Sequence, residues 1–205
     1  LKGQKLDQLK AKMAYFLTPM LGDANHPLRL EASLLAVSWR DKAGFAAARD
    51  VLESAKFTDD QRLAAASALI AAEQDEVLGG IAKIFEQSPP ASAEFRGKLL
   101  ATLARLDDSE VDDLVMKFYP KLEPELQSRA IELLTQRPAW AKELLTAIGD
   151  KQIAASVLNV NQARKLAESK DEAVRALLAK HWGQVRDGRS PDRDKFIAEM
   201  RALIR

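Results

Sequence analysis

An arginine recurs along this chain at a nearly constant interval, each time at the head of an apolar segment of helical length. The five segments read HPLRLEASLLAV from His26, TDDQRLAAASALIA from Thr58, SAEFRGKLLATLARL from Ser92, LQSRAIELLTQ from Leu126 and DEAVRALLAKHWG from Asp171. Their arginines are Arg29, Arg62, Arg96, Arg129 and Arg175, spaced by 33, 34, 33 and 46 residues. A single helical unit cannot bury its apolar face alone, so a period of this kind implies that like units stack on one another. The longer last gap leaves room for one extra short helix.

A second set of helices is expected between the first, over Asp7–Leu21, Asp41–Ser54, Asp75–Gln87, Asp108–Tyr119 and Ala139–Ile148. Each carries apolar residues at i, i+3, i+4 and i+7, the stripe of an amphipathic helix. Phe45, Ala48, Val51 and Leu52 form one such stripe; Val111, Leu114, Val115 and Phe118 form another. No stretch alternates β-branched and polar residues, so strands are not expected. Thr58 followed by Gln61 is a capping-box pattern, and Ser190-Pro191-Asp192 is a helix start with a cap, a proline at the first helical position and an acid. Breaks at Gly22–Pro27, Ser88–Pro90, Pro120–Pro124 and Gln136–Pro138 are short, which predicts antiparallel neighbours. The predicted units are 7–39, 41–72, 75–105, 108–136 and 139–186, with a C-terminal helix over 190–204, all in one domain.

Composition narrows the function classes. Lys+Arg is 31 against Asp+Glu 30, a net charge of +1, so no global field attracts nucleic acid or an anionic membrane. The chain has no cysteine, which excludes disulfides, thiolate metal sites and covalent haem attachment. Its longest apolar run, Met13 to Leu21, is interrupted by Thr18 and Pro19 and falls far short of the ~20 residues that span a bilayer. The chain begins at Leu1 with no signal peptide and reads as a processed product or a piece of something larger.

The turn with Pro or Asp, then a hydrophobic residue, then Arg, then small residues and Leu resembles the HEAT family. His26-Pro27-Leu28-Arg29 and Asp171-Glu172-Ala173-Val174-Arg175 carry the likeness. The tetratricopeptide Trp…Leu-Gly…Tyr pattern and the ankyrin Thr-Pro-Leu-His turn are missing. The resemblance implies an all-α fold, a right-handed α-α superhelix (HEAT-like/armadillo-type solenoid) of about five helical hairpins, with the arginine helix second in each pair.

Candidate chemistry is thin. The five arginines read as structural repeat positions, each pairing with an acid of a neighbouring unit such as Asp23, Asp59 or Asp60, in preference to a phosphate-binding stripe, which would show clustered lysines and aromatics. Asp107, Asp108, Glu110, Asp112 and Asp113 lack the spacing of a calcium loop and suit the positive end of a helix. His26 and His181 show neither triad order nor metal spacing and are expected to pack or cap. Gly79-Gly80 suggests close approach of a neighbouring helix. Trp39, Trp140 and Trp182 suggest packing between units. No catalytic, metal or cofactor residue is assigned.

The last ~45 residues carry a further likeness. The run from Asn161, including Trp182-Gly183-Gln184-Val185-Arg186 and the helix from Ser190, resembles the repeat region before the cytochrome c module of large planctomycete-type secreted proteins that begin with a sugar-dehydrogenase-like propeller. That resemblance implies a periplasmic or secreted, non-catalytic spacer between redox domains, with neighbouring domains or proteins as partners. Two alternatives remain: a nucleic-acid binder of the DNA-alkylation-repeat glycosylase type, also built from HEAT-like hairpins, and a free-standing adaptor.

Overall fold

A computed structural model describes residues 3–73, 76–106, 108–183 and Met200. The predicted helix over 190–204, together with Asp75 and Asp107, lies outside the described residues. The fold is all-helical, and no strand occurs among the described residues. Two compact units divide the chain, Leu1–Gln136 and Arg137–Arg205.

The first unit contains α1 (Gln4–Gly22), α2 (Arg29–Ser38), α3 (Lys42–Glu53), α4 (Asp59–Ala71), α5 (Val77–Glu86), α6 (Ala93–Leu103), α7 (Glu110–Phe118) and α8 (Pro124–Leu134). A 3-10 turn, Tyr119–Lys121, links the last two. Odd-numbered helices touch odd, α1 to α3, α3 to α5 and α5 to α7, while α2, α4, α6 and α8 contact one another in the same succession. The result is two rows of helices with apolar stripes turned toward each other. Ala48, Val51 and Leu52 of α3 and Ala65, Ala66 and Leu69 of α4 are wholly buried between them. Small residues set the spacing at the tightest crossing. A Cβ placed on Gly44 of α3 would fall 2.4 Å from the Ala36 Cβ and 2.8 Å from the Ala36 carbonyl carbon.

Local chemistry fixes the helix ends. Thr58 and Gln61 form the expected capping box on α4. Asp41 caps α3 by accepting the Gly44 amide at 3.1 Å. The C-terminal ends are less legible in sequence. Arg40 and Glu73, which follow α2 and α4, adopt left-handed backbone at φ 57° and 54° without being glycine. The Arg40 amide reaches the Val37 carbonyl at 2.8 Å and the Asp41 amide reaches Ala36 at 3.0 Å. This double bond closes a Schellman turn, which offsets the cost of the left-handed residue. It also lets α3 start immediately after α2.

The second unit contains α9 (Pro138–Gly149), a 3-10 turn at Ala155–Val157, α10 (Val160–Ala167) and α11 (Glu172–His181). Helices α9 and α10 both pack on α11. The short helix α10 fills the long gap in the arginine spacing. It opens with a capping box, Asn159 and Gln162, that sequence reasoning overlooked although the pattern is present. Lys151 ends α9 in the same left-handed turn, at φ 61°.

Two glycine substitutions test this packing in opposite directions. Gly44→Ala is expected to lose about 2 kcal/mol in urea unfolding, because the Ala36 Cβ and the backbone of Ala36 and Val37, none of which can swing aside, block the new methyl. Gly79→Ala, in the exposed interior of α5 with nothing near its added Cβ, is expected to gain about 0.5–1 kcal/mol.

Candidate functional site

The recurring arginines do two jobs where they enter the core. Arg29, Arg62 and Arg96 are buried to 4%, 3% and 6% residual exposure. Each donates to a backbone carbonyl that precedes its own helix. Arg29 binds the Leu21 carbonyl at the end of α1. The Arg62 Nε binds that of Leu52 at the end of α3 at 2.9 Å, and the Arg96 Nε that of Ala91 at 2.9 Å. The Leu21 and Leu52 carbonyls lie in the last turns of α1 and α3, where a helix leaves its acceptors open, whereas that of Ala91 lies in the loop before α6.

Each guanidinium then reaches forward to the next helix of the stack. Arg29 pairs with Asp50 of α3 at 2.7 Å. Arg62 lies over the Phe95 ring of α6, 4.3 Å from its centroid. Arg96 grips Glu123, the residue before α8, with both amino groups at 3.0 and 2.6 Å. The bidentate fork suits a guanidinium and not an ammonium. That pairing also holds the Glu123 carboxyl below the usual carboxylate range. Burial lowers the Arg62 pKa, with the nearby Asp59 carboxylate at 3.7 Å opposing the shift. The acids engaged are thus Asp50, Asp59 and Glu123; Asp23 and Asp60 do not serve these three arginines among the bonds and ion pairs described.

Arg129 and Arg175 stand differently. Arg129 is exposed, pairs with Glu125 one turn back at 2.9 Å and lies against Gly97, whose added Cβ would come within 2.9 Å of the guanidinium. In α8 the carbonyl-binding role belongs to Gln127, whose side-chain amide donates to Tyr119 at 3.2 Å. The buried residues agree: Ala130, Ile131 and Leu134 follow Gln127 at the spacing that Leu99, Leu100 and Leu103 follow Arg96. Arg175, exposed in the second unit, binds the Ser169 carbonyl at 2.6 Å.

A second repeated link joins the first row. Lys83 of α5 pairs with Glu53 at the end of α3 at 2.8 Å, and Lys117 of α7 pairs with Glu86 at the end of α5 at 2.9 Å. These are solvent-facing pairs, each contributing little to stability on its own.

A cleft of about 710 Å³ lies between α1 and the α2–α3 pair. Its walls are Ala14, Leu17 and Leu21 on one side and Ala36, Ala43 and Ala47 on the other, with Lys10, Asp41 and the Arg29–Asp50 pair supplying polar edges. Lys10 donates across it to the Trp39 carbonyl at 3.1 Å.

The remaining candidates resolve into packing. His26 Nδ1 accepts the Leu28 amide at 3.1 Å. The His181 ring lies on Gly149, where an added Cβ would come within 2.5 Å of it. Gly80 approaches Leu52 and Glu53 closely, whereas Gly79 faces open space. Trp140 is buried beneath Arg137, Trp39 lies beside the α1 cleft, and Trp182 caps α11. Among the described residues no group of three His, Asp or Glu is placed to hold a metal ion, and no helix is long and apolar enough to cross a membrane. Within the acidic cluster, Asp112 is buried to 5% exposure with Oδ1 unpartnered, and burial pushes its carboxyl up.

The joints can be separated by mutation. Arg96→Met is expected to cost about 2 kcal/mol in chemical denaturation by stranding the Ala91 carbonyl and losing the fork on Glu123, while Arg129→Met should stay within about 0.5 kcal/mol. For Asp112 the folded-state pKa is raised, so the folded chain holds the proton more tightly than the unfolded chain. Stability therefore falls as pH rises from the unfolded value to the folded one. Asp112→Asn removes that dependence: the variant should be more stable than the parent at neutral pH, with the difference shrinking in denaturation curves taken at progressively lower pH.

No family model matches this chain, and neither a curated protein nor a solved structure matches it significantly.

Proposed function

We propose that the chain is a HEAT-like repeat scaffold, a non-catalytic array that holds other protein elements in fixed register. The observation that carries this reading is the repetition of one joint. A buried arginine at the head of the second helix binds a preceding carbonyl and reaches forward to the next pair, through Arg29, Arg62 and Arg96 in turn. Joints of that kind extend a surface without enclosing a reaction chamber, and repeat arrays use such surfaces for binding. Burial of these three guanidinium groups supports protein contact over phosphate contact, since each is committed to a carbonyl and to an acid or a ring.

The narrower form of the proposal is a spacer between redox domains in a periplasmic or secreted protein, which rests on the C-terminal resemblance from Asn161 onward. The nucleic-acid alternative makes the opposite demand on the surface, because it needs free cations that displace phosphate counterions. A labelled DNA duplex carrying an abasic analogue, titrated with the purified chain over a range of salt, separates the two. The scaffold reading expects no binding above background at any salt. Binding that weakens steeply as salt rises would overturn it in favour of the nucleic-acid class.

A further inference from the structure

One interval in the first row of helices stays open. Further along, α5 closes on α3: a Cβ added to Gly80 would lie 3.4 Å from Leu52 and 3.3 Å from Glu53. Between α1 and α3 the facing residues line the cleft of about 710 Å³ instead. Ala14 of α1 and Ala43 and Ala46 of α3 look into it and remain exposed, while Leu17 and Ala47, which also line it, are buried. Its volume falls within the roughly 300–1,000 Å³ of small-molecule sites.

The cleft is long, and aliphatic along its middle. Lys10, Ala14, Leu17, Thr18 and Leu21 line it from α1 at the spacing of one helix face. From Lys10 to Leu21 that face runs about 16 Å, at about 1.5 Å per residue. Across from it stand Ala36 of α2 and the three alanines of α3. The Thr18 hydroxyl is spent on its own helix, donating to the Ala14 carbonyl at 2.7 Å.

Charge separates the two ends. At the Leu21 end, Arg29 and Asp50 answer each other at 2.7 Å, and Arg29 also holds the Leu21 carbonyl. At the other end, Lys10 donates to the neutral Trp39 carbonyl at 3.1 Å, and no carboxylate pairs with it among the described ion pairs. Asp41, on the same rim, accepts the Gly44 amide at 3.1 Å as the cap of α3, and Arg40 has Glu73 at 3.9 Å. An ammonium carries three donors, so Lys10 keeps two for a ligand. The cleft is therefore an aliphatic trough with one unpaired cation at one end and a closed ion pair at the other.

We infer that this cleft is a binding site for a single-chain anionic amphiphile, a medium-chain fatty carboxylate whose head meets Lys10 and whose chain lies along Leu17 and Leu21. The carboxylate accepts the charge-assisted bonds that Lys10 has free. The alkyl chain takes the exposed alanine and leucine surface out of water. Because Arg29 and Asp50 already satisfy each other, the far end has no charge left for a second head group. The inference goes beyond the scaffold reading and does not depend on it.

The test is calorimetric titration of the whole chain with dodecanoate, and with dodecylammonium and dodecanol as controls, all below their micellar concentrations. Dodecanoate should bind at one site and change the tryptophan fluorescence, a response that Trp39→Phe removes. Lys10→Met should weaken dodecanoate by roughly tenfold and leave dodecanol unchanged, and Lys10→Arg should keep most of the affinity. Ala46→Trp fills the cleft from an exposed position, so it should abolish binding with an unchanged far-UV circular dichroism spectrum. Equal binding of dodecylammonium, dodecanoate binding that survives Lys10→Met or Ala46→Trp, or no saturable binding would overturn the proposal. So would association with phosphatidylserine vesicles in place of free dodecanoate. Since the DNA titration does not probe the cleft, a failed dodecanoate titration removes this site and leaves the scaffold reading standing.

Discussion

The first unit depends on a donor placed at the head of each even helix and aimed at a backbone carbonyl that precedes it. A helix end buried in a stack leaves acceptors that water cannot reach, and an unmet buried acceptor costs about 1–3 kcal/mol. Arg29 and Arg62 answer that demand with one hand and reach the next pair with the other, and Arg96 does the same from a carbonyl of the loop before its helix. A guanidinium suits the task because its five donors lie in a rigid planar fork. Arg96 uses three of its nitrogens, one on Ala91 and two on Glu123.

That constraint organises the layers around it. Once each arginine is fixed, the residues three, four and seven positions later must face the core, and they do so as Ala65, Ala66 and Leu69 or Leu99, Leu100 and Leu103. The odd helices are then held by small residues at close crossings, Gly44 against Ala36 and Gly80 against Leu52. Alanine and glycine at these points serve approach, not flexibility. Along α1, where alanines of α2 and α3 face Leu17 and Leu21, a cleft is left.

The same rule explains the departures. Gln127 replaces arginine in α8, and its shorter side chain meets the carbonyl of Tyr119. The conspicuous Arg129 two residues later lies outside, over Gly97. Asp112 is buried at the start of α7, where α5 places the apolar Leu78, and its carboxyl is pushed up by loss of solvent. A helix N-terminus tolerates the charge better than other core positions do.

The sequence by itself determined the helices and their period, because apolar spacing and caps such as Thr58–Gln61 act over a few residues and need no distant partner. It also marked Arg29, Arg62 and Arg96 as repeating, but of the acids they meet it named only Asp59, which pairs within the same helix and not across units. Tertiary structure alone decided that Gln127 and not Arg129 enters the joint, that Arg40 and Glu73 end their helices in left-handed turns without glycine, and that Asp112 is buried. It also decided that Ala43 and Ala46 stay exposed along the cleft while Ala47 is covered. Each of these depends on what packs against a position from elsewhere in the chain, and spacing along one helix carries no record of the neighbour that arrives.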